Sequence, residues 1–189
     1  MTSKRGIADG ARRPALAVVL LVALAACAAR PTGGGPPGTT APVRPTGDGD
    51  IPDNGSISLS DTGHDALRGL DPALLAAVRA ADVDARRVGV ELRVPSGWRS
   101  AEYQQRLLDR AVVTYGSLDE ARRFVNTPEK STHVSGKAID IGPTAADDWL
   151  IQHGADHGLC QAYANEMWHF ELLTTPGGQC PQPLGDATG

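Results

Sequence analysis

The stretch STHVSGKAIDI, residues 131–141, combines a turn with a short strand. Gly136 stands where the chain must turn, because residues with a Cβ resist the backbone conformations of tight turns. The strand predicted over 137–141 alternates its side chains between two faces. Ala138 and Asp140 share one face, and the two isoleucines occupy the other. The sequence therefore predicts a strand with one apolar face and, on the opposite face, a carboxylate beside a residue small enough to leave space.

Two further stretches have the alternation of strands. In WHFEL, residues 168–172, His169 and Glu171 fall on one face, and three apolar side chains, including Trp168, fall on the other. Trp168 is accordingly expected in the core rather than in a pocket wall. Residues 90–94 alternate in the same way and end at the sequence Pro-Ser-Gly. The sequence thus predicts at least three short strands.

Four helices are predicted from capping residues and apolar periodicity. They begin at Asp71, Ser100, Ser117 and Thr144; the first ends near Gly89 and the last covers residues 145–157. Helices and short strands mix without a repeating βαβ pattern. This order favours the α+β class, with a small, mostly antiparallel central sheet flanked by helices.

Residue types are distributed unevenly along the 189 residues of the chain. All eight aromatic residues lie between Trp98 and Phe170, whereas residues 28–55 are rich in Pro and Gly and contain none. Such a segment cannot bury enough apolar surface to offset its chain entropy. Residues 27–58 are therefore predicted to form a flexible linker, and residues 59–189 a single folded domain.

Residues 1–26 are predicted to be a secretory signal. Basic residues precede the apolar run at 14–26, which is too short to span a bilayer and suits the apolar part of a signal. The run ends in LAAC, residues 24–27, which resembles a bacterial lipobox in which Cys27 is lipidated. Ordinary cleavage nearby and an uncleaved anchor are the alternatives. All three predict an exported protein, and the first predicts a cell-membrane lipoprotein that faces the cell wall.

The net charge argues against one class of partner. The chain carries a formal charge of −4, and the predicted signal holds several of its basic residues. Nucleic-acid-binding proteins usually present a basic surface. We therefore expect no nucleic-acid partner.

Cys160 and Cys180 are predicted to form a disulfide. The bridge would close a loop of about 20 residues, worth roughly 3 kcal/mol in the chain-entropy model. Thiolate ligation of zinc is the alternative, but an oxidising compartment favours the disulfide.

Two of the five histidines, His133 and His169, lie in polar, glycine-punctuated or strand-edge sequence with acidic residues nearby. Two imidazoles and one carboxylate are a common catalytic zinc set, which leaves the fourth position open for water. The metal would lower the pKa of that water toward 7 and polarise a carbonyl. The residue types alone leave the carboxylate open between Asp140 and Glu166, with Glu171 also near. They equally allow His133 and His169 to be two unrelated structural histidines.

The order of three motifs narrows these alternatives. The pattern S-x-H-x-x-G-x-A-x-D at 131–140, followed by E-x-W-H at 166–169, resembles the paired motif of the zinc D-Ala-D-Ala carboxypeptidases. This family groups with bacterial D,D-dipeptidases and L-Ala-D-Glu endopeptidases of peptidoglycan. The upstream sequence GWRS at 97–100, with a glutamine at 104, resembles a third segment of the family. Many relatives have Pro where this chain has Met167, which changes no functional group.

The resemblance implies a role for each matching residue. It implies zinc ligation by His133, Asp140 and His169, general base catalysis by Glu166, oxyanion stabilisation by Arg99, and substrate contacts by Ser131 and Gln104. Glu171 is expected either to orient an imidazole or to lie on the strand surface.

The resemblance also implies a reaction, the hydrolysis of the terminal D-Ala-D-Ala bond of peptidoglycan stem peptides by a zinc carboxypeptidase. We separately expect the protein to be a monomer. Two alternatives remain. An endopeptidase would use the same residues on an internal bond, and a wall-binding module would keep zinc without catalysis. The presence of both Glu166 and Arg99 argues against the binding module, since a purely structural site needs neither.

Overall fold

The strand predicted over residues 137–141 is the middle strand of a five-stranded sheet in the computed structural model, which describes residues 47–189. The strands are β1 (Ile57–Ser58), β2 (Arg93–Ser96), β3 (Ala138–Gly142), β4 (Leu159–Gln161) and β5 (His169–Leu172). Their order across the sheet is β1-β2-β3-β5-β4, and every neighbouring pair is antiparallel. The expected α+β class with an antiparallel sheet is confirmed.

Five helices accompany the sheet in the described part of the chain. They are α1 (Asp65–Arg68), α2 (Pro72–Arg87), α3 (Ala101–Tyr115), α4 (Leu118–Arg122) and α5 (Thr144–His153), and a 3-10 turn follows at Gly154–His157. Asp71, Ser100 and Ser117 cap α2, α3 and α4 as predicted, each accepting from a backbone N–H of the first turn. None of the helices within residues 47–189 is long and apolar enough to cross a bilayer.

The apolar face of the sheet forms the main core. Ile139 and Ile141 of β3 and Phe170 of β5 are fully buried. They belong to one cluster with Val78 of α2 and Leu150 of α5. Because alternate residues face opposite sides of a strand, this packing turns Asp140 and His169 toward the other face.

Strand β2 differs from its prediction by three residues. The expected strand covers 90–94, but β2 begins at Arg93. The N–H of Val90 donates to Ala85 O, and that of Leu92 donates to the Asp82 carboxylate. Both amides therefore bond to α2 and its C-terminal turn instead of to a neighbouring strand.

The linker also ends earlier than predicted. Within the described part of the expected 27–58 segment, Ile51 is buried and Ile57 pairs with Val94 of β2. Asp48 O accepts from the N–H of Ser100, and the Asp48 carboxylate pairs with Arg106. The folded domain thus includes residues 48–58, and the predicted signal, Cys27 and the rest of the linker lie outside the described residues.

Helix α5 departs from its prediction at both ends. Pro143, not Thr144, occupies the N-cap position, and no side chain caps the helix. The α-helix ends at His153 and continues as the 3-10 turn, because Gly154 lowers helix propensity there.

The Cys160–Cys180 disulfide is present and ties β4 to the segment that follows β5.

Asp147 in α5 is a buried carboxylate whose Oδ1 accepts no hydrogen bond within residues 47–189. Burial, reinforced by the charge of Asp148, raises its pKa to about 6. A raised carboxyl pKa stabilises the fold below pH 4, and this stabilisation is lost as the pH rises toward 6. Two pKa units correspond to nearly 3 kcal/mol for a fully desolvated group, and screening by water reduces this to about 1 kcal/mol.

We therefore expect Asp147→Asn to raise the melting temperature by about 2–4 °C at pH 7.5 and to have little effect at pH 4. Thermal unfolding at the two pH values measures this difference. Asp148→Asn removes an exposed carboxylate from the same turn and should give less than half the gain. An equal gain at both pH values would contradict the role of ionisation.

Candidate metal centre

Three ligand atoms meet on the polar face of the sheet. His133 Nε2 and His169 Nδ1 are 3.2 Å apart, and each lies 3.3 Å from Asp140 Oδ1. The register of β3 and β5 brings two of these three atoms together, since Asp140 and His169 are directly opposite each other. The third atom comes from the 131–137 loop that precedes β3. All three residues are buried, and within residues 47–189 they form a cluster that could hold a metal ion.

The 131–137 loop is held by its turn glycine. Gly136 has φ +72°, and a Cβ there would lie 2.4 Å from Gly69 O. The N–H of Asp71 donates to Gly136 O over 2.8 Å. The loop therefore needs glycine at this position, as predicted, to pack against the start of α2 and to aim His133 at the sheet.

The two imidazoles are fixed in opposite tautomers. The Nδ1–H of His133 donates to Gly97 O at 2.7 Å, and the Nε2–H of His169 donates to the Glu171 carboxylate at 3.0 Å. An imidazole that donates from one nitrogen keeps its lone pair on the other. The lone pairs of His133 Nε2 and His169 Nδ1 are thereby turned toward the same point, beside Asp140 Oδ1.

The trio fits a tetrahedral zinc ion. Ligands about 2.0–2.1 Å from zinc in tetrahedral geometry are separated from one another by roughly 3.3–3.4 Å, which matches the three observed distances. Asp140 Oδ1 is also buried without a hydrogen bond from any residue in 47–189. Burial opposes its ionisation, but the guanidinium of Arg99, which donates to Oδ2, helps to hold the pKa of Asp140 far below its usual range. A buried, ionised and unbonded oxygen beside two imidazole lone pairs is the donor set of a cation site.

Arg99 neutralises the other oxygen of Asp140. Its Nη2 donates to Asp140 Oδ2 at 3.0 Å, its Nε to Ser96 Oγ at 2.8 Å, and its Nη1 to Gln104 Oε1 at 3.1 Å. Ser96 is opposite Asp140 in the sheet, so β2 supplies this support by register. These bonds use three of the five guanidinium N–H groups and leave two for a bound molecule.

Glu166 lies at the edge of the trio. Its Oε2 is 3.6 Å from His169 Nδ1, and its side chain is buried. Burial raises the pKa of Glu166 to about 7. A carboxylate with this pKa takes up and releases protons near neutral pH, as a general base must.

One cavity of about 160 Å³ is lined by all seven predicted site residues. They are Arg99, Gln104, Ser131, His133, Asp140, Glu166 and His169. Pockets for drug-sized ligands are typically about 300–1,000 Å³, so this cavity suits one or two small residues. Trp168 also lines it and is 42% exposed, so the expectation of a core tryptophan is wrong. It lies outside β5, where the alternation no longer applies.

Several groups at the site are identified weakly by the sequence or are not identified at all. The sequence leaves two roles open for Glu171, and its bond to His169 decides for the orienting role. The carbonyl of Gly97 and the ring of Tyr163, whose centroid lies 4.8 Å from that of His169, were not predicted. Period-two alternation could find Glu171, but no local pattern identifies a carbonyl 36 residues away from the ring it orients.

The sheet and its cluster define an α+β domain with a mononuclear metal centre. The VanY family of D-alanyl-D-alanine carboxypeptidases matches residues 68–175, more than half of the chain. The chain therefore belongs to this family, which confirms the resemblance of its motifs.

Individual relatives agree with this assignment. A D-alanyl-D-alanine carboxypeptidase of Enterococcus faecalis is 28% identical over 114 residues, 47% of this chain and 42% of that protein. The chain thus matches less than half the length of this relative. A Zn(II) complex of a variant of the vancomycin-resistance D,D-pentapeptidase VanY is 25% identical, with a TM-score of 0.51 over 58% of this chain and 73% of that structure. The LD-carboxypeptidase LdcB has the same fold at 23% identity and a TM-score of 0.53, with 71% of each chain covered.

Proposed function

We propose that this protein is a zinc carboxypeptidase that hydrolyses the terminal D-Ala-D-Ala bond of peptidoglycan stem peptides. The observation that carries the proposal is the convergence of two opposite imidazole tautomers on an unbonded carboxylate oxygen. His133, Asp140 and His169 would hold the zinc. Glu166 and Arg99 lie beside them, and both side chains support peptide hydrolysis, since one can accept a proton and the other can bind an anion.

When bound, zinc lowers the pKa of water and polarises the carbonyl of the substrate. Glu166 removes a proton from the attacking water and returns it to the leaving amine. Its buried position beside the metal ligands suits both transfers. Arg99 uses its two remaining N–H groups to stabilise the negative charge that develops on the carbonyl oxygen. Asp140 and Ser96 hold the guanidinium in place for this task.

Gln104 positions Arg99 in this proposal. Its Oε1 accepts from Arg99, and its Nε2 donates to Asn126 O at 2.8 Å. The amide therefore has one N–H left for substrate. Ser131 lines the cavity, and we keep it as a substrate contact.

The substrate class follows from the family and from the size of the cavity. A solved complex of the relative VanYB holds D-Ala-D-Ala and is 25% identical to this chain, with a TM-score of 0.51. The cavity of about 160 Å³ is consistent with small terminal residues. A stem peptide that ends in D-Ala-D-Ala meets both conditions.

Mass spectrometry of a digest tests the proposal directly. The purified, zinc-loaded chain is incubated with a stem pentapeptide ending in D-Ala-D-Ala, beside a chelated sample. We expect loss of one D-Ala, which chelation abolishes. Cleavage only at an internal bond would make the protein an endopeptidase. Absence of cleavage with zinc still bound would favour a binding module.

We expect Glu171→Ala to weaken zinc affinity by about 10–100-fold, the usual cost of removing the outer partner of a metal-bound histidine. The change would release the Nε2–H of His169 and let the ring rotate or change tautomer. Competition with a chromogenic chelator measures the affinity. Glu129→Ala, at an exposed position in the loop before His133, should have no effect. Equal affinities for the two variants would mean that Glu171 does not orient the ligand.

We also propose that residues 1–26 direct export and that Cys27 carries a lipid, so that the segment before residue 47 tethers the domain to the outer face of the membrane. The lipobox-like sequence LAAC at 24–27 and a family that acts on peptidoglycan support this proposal. We expect metabolic labelling with a fatty acid to mark the chain, and Cys27→Ala to abolish the label.

A further inference from the structure

The tail, residues 180–188, crosses back over the domain to the metal site. The disulfide anchors it at Cys180, and Leu184 pairs with Tyr163 in a parallel bridge. Ala187 then lines the same cavity as the metal ligands. The family match ends at residue 175, so the tail is a feature of this chain outside the matched region.

A set of hydrogen bonds that we call the clasp holds residues 186–188 against the segment after α4. Its members are Arg123, Asn126, Asp186, Ala187 and Thr188. Asp186 accepts from Arg123 Nε at 2.9 Å and from both the N–H and the hydroxyl of Thr188. The N–H of Ala187 donates to Arg123 O at 3.3 Å, and Asn126 Nδ2 donates to Ala187 O at 2.7 Å. Because Asp186 joins three of these groups, it is the residue on which the clasp depends.

The clasp is joined to the metal site by a continuous line of hydrogen bonds. Asp140 accepts from Arg99, Arg99 donates to Gln104, Gln104 donates to Asn126 O, and the Asn126 side chain donates to Ala187 O. The tail and residues 124–126 therefore form one wall of the cavity, at a fixed distance from Arg99. Trp168, which is 42% exposed, also lines the cavity.

We propose that the tail is the wall that limits the cavity to the free end of a peptide and so makes the enzyme an exopeptidase. This inference rests on the proposed function. A stem peptide is attached to peptidoglycan through its N-terminal side. Only its free C-terminal residue can therefore point at the side of the cavity that the tail forms. A peptide that continues past the second D-Ala would collide with Asn126 and Ala187. Asp186 is thus a specificity-determining residue that acts through the position of the tail.

Two substitutions that each remove one carboxylate from Arg123 distinguish an effect of the clasp from a general effect on Arg123. Asp186→Ala removes the carboxylate that holds both Arg123 and Thr188. Glu120→Ala removes the other carboxylate on Arg123, at 3.2 Å from its Nη1, without touching the tail. Each is compared with the unmodified chain on two peptides, one ending in D-Ala-D-Ala and one extended by a C-terminal glycine.

We expect Asp186→Ala to lower the ratio of kcat/KM for the terminal peptide to that for the extended peptide by at least tenfold, and Glu120→Ala to leave it unchanged. Deletion of residues 186–189 should act like Asp186→Ala. An unchanged ratio in both tail variants would overturn the inference, as would equal cleavage of the two peptides by the unmodified chain.

A binding measurement distinguishes failure of the tail inference from failure of the proposed function. Calorimetric titration of the zinc-loaded Glu166→Gln chain, with and without Asp186→Ala, gives the same selectivity without hydrolysis. If no peptide is cleaved by the unmodified chain, the proposed carboxypeptidase activity fails. If the Kd ratio of the two peptides does not change with the tail, the tail inference fails.

Discussion

Glu166→Ala is expected to lower kcat on a stem pentapeptide by about 10²–10⁴-fold while the protein keeps one zinc ion. General base catalysis contributes an effect of this size, and Glu166 lies beside the metal ligands without being the carboxylate that completes their triangle. Quantitative mass spectrometry of the product and elemental analysis of the purified protein measure the two quantities.

Glu129→Ala is the control for Glu166→Ala, because Glu129 is exposed on the loop before the site. It should retain full turnover. Turnover of the Glu166 variant within a factor of two of the unmodified chain would remove Glu166 from the role of base. Loss of zinc together with activity would instead make Glu166 a ligand.

Asp140→Asn should reduce zinc affinity by more than about a hundredfold and abolish measurable hydrolysis. The amide has nearly the same shape but carries no charge, so it neither attracts the cation nor neutralises Arg99. Removing an outer partner of a metal site already costs about 10–100-fold, and Asp140 would contact the ion itself. Competition with a chelator of known affinity measures the change.

Asp148→Asn makes the same chemical change at an exposed residue of α5 and should leave zinc affinity unaltered. Circular dichroism of both metal-free variants establishes that each is folded. If the folded Asp140 variant binds zinc as tightly as the unmodified chain, the carboxylate in the trio is not a ligand.

Local patterns in the sequence were sufficient to predict the strands that carry the site. Alternation placed Asp140 on the face opposite Ile139, and His169 and Glu171 on one face of their strand, and the structure has both arrangements. Period two is a property of the extended backbone itself, so it holds whatever the strand packs against. The helix starts at Asp71, Ser100 and Ser117 could also be predicted from local sequence. A capping side chain accepts a hydrogen bond from a backbone N–H of its own first turn.

Features that depend on distant partners could not be predicted in this way. Residues 90–92 alternate like a strand, yet their amides bond to α2 and its C-terminal turn. Ile51 is a single buried apolar side chain in a segment rich in polar residues, and one side chain makes no pattern. The contact of Ala187 with the cavity depends on Arg123 and Asn126, more than sixty residues earlier in the chain.

The antiparallel register of β3 and β5 makes the candidate metal site sensitive to the length of its strands. Insertion or deletion of one residue between Ala138 and Asp140 would move the carboxylate into the apolar core and bring an isoleucine to the metal position, because a slip of one residue exchanges the two faces. The pairing of strands places no such constraint on the length of the loop at 124–130. Natural and engineered length variation in this domain should therefore concentrate in the loops around the cavity, where it alters substrate selection and leaves the metal ligands in place.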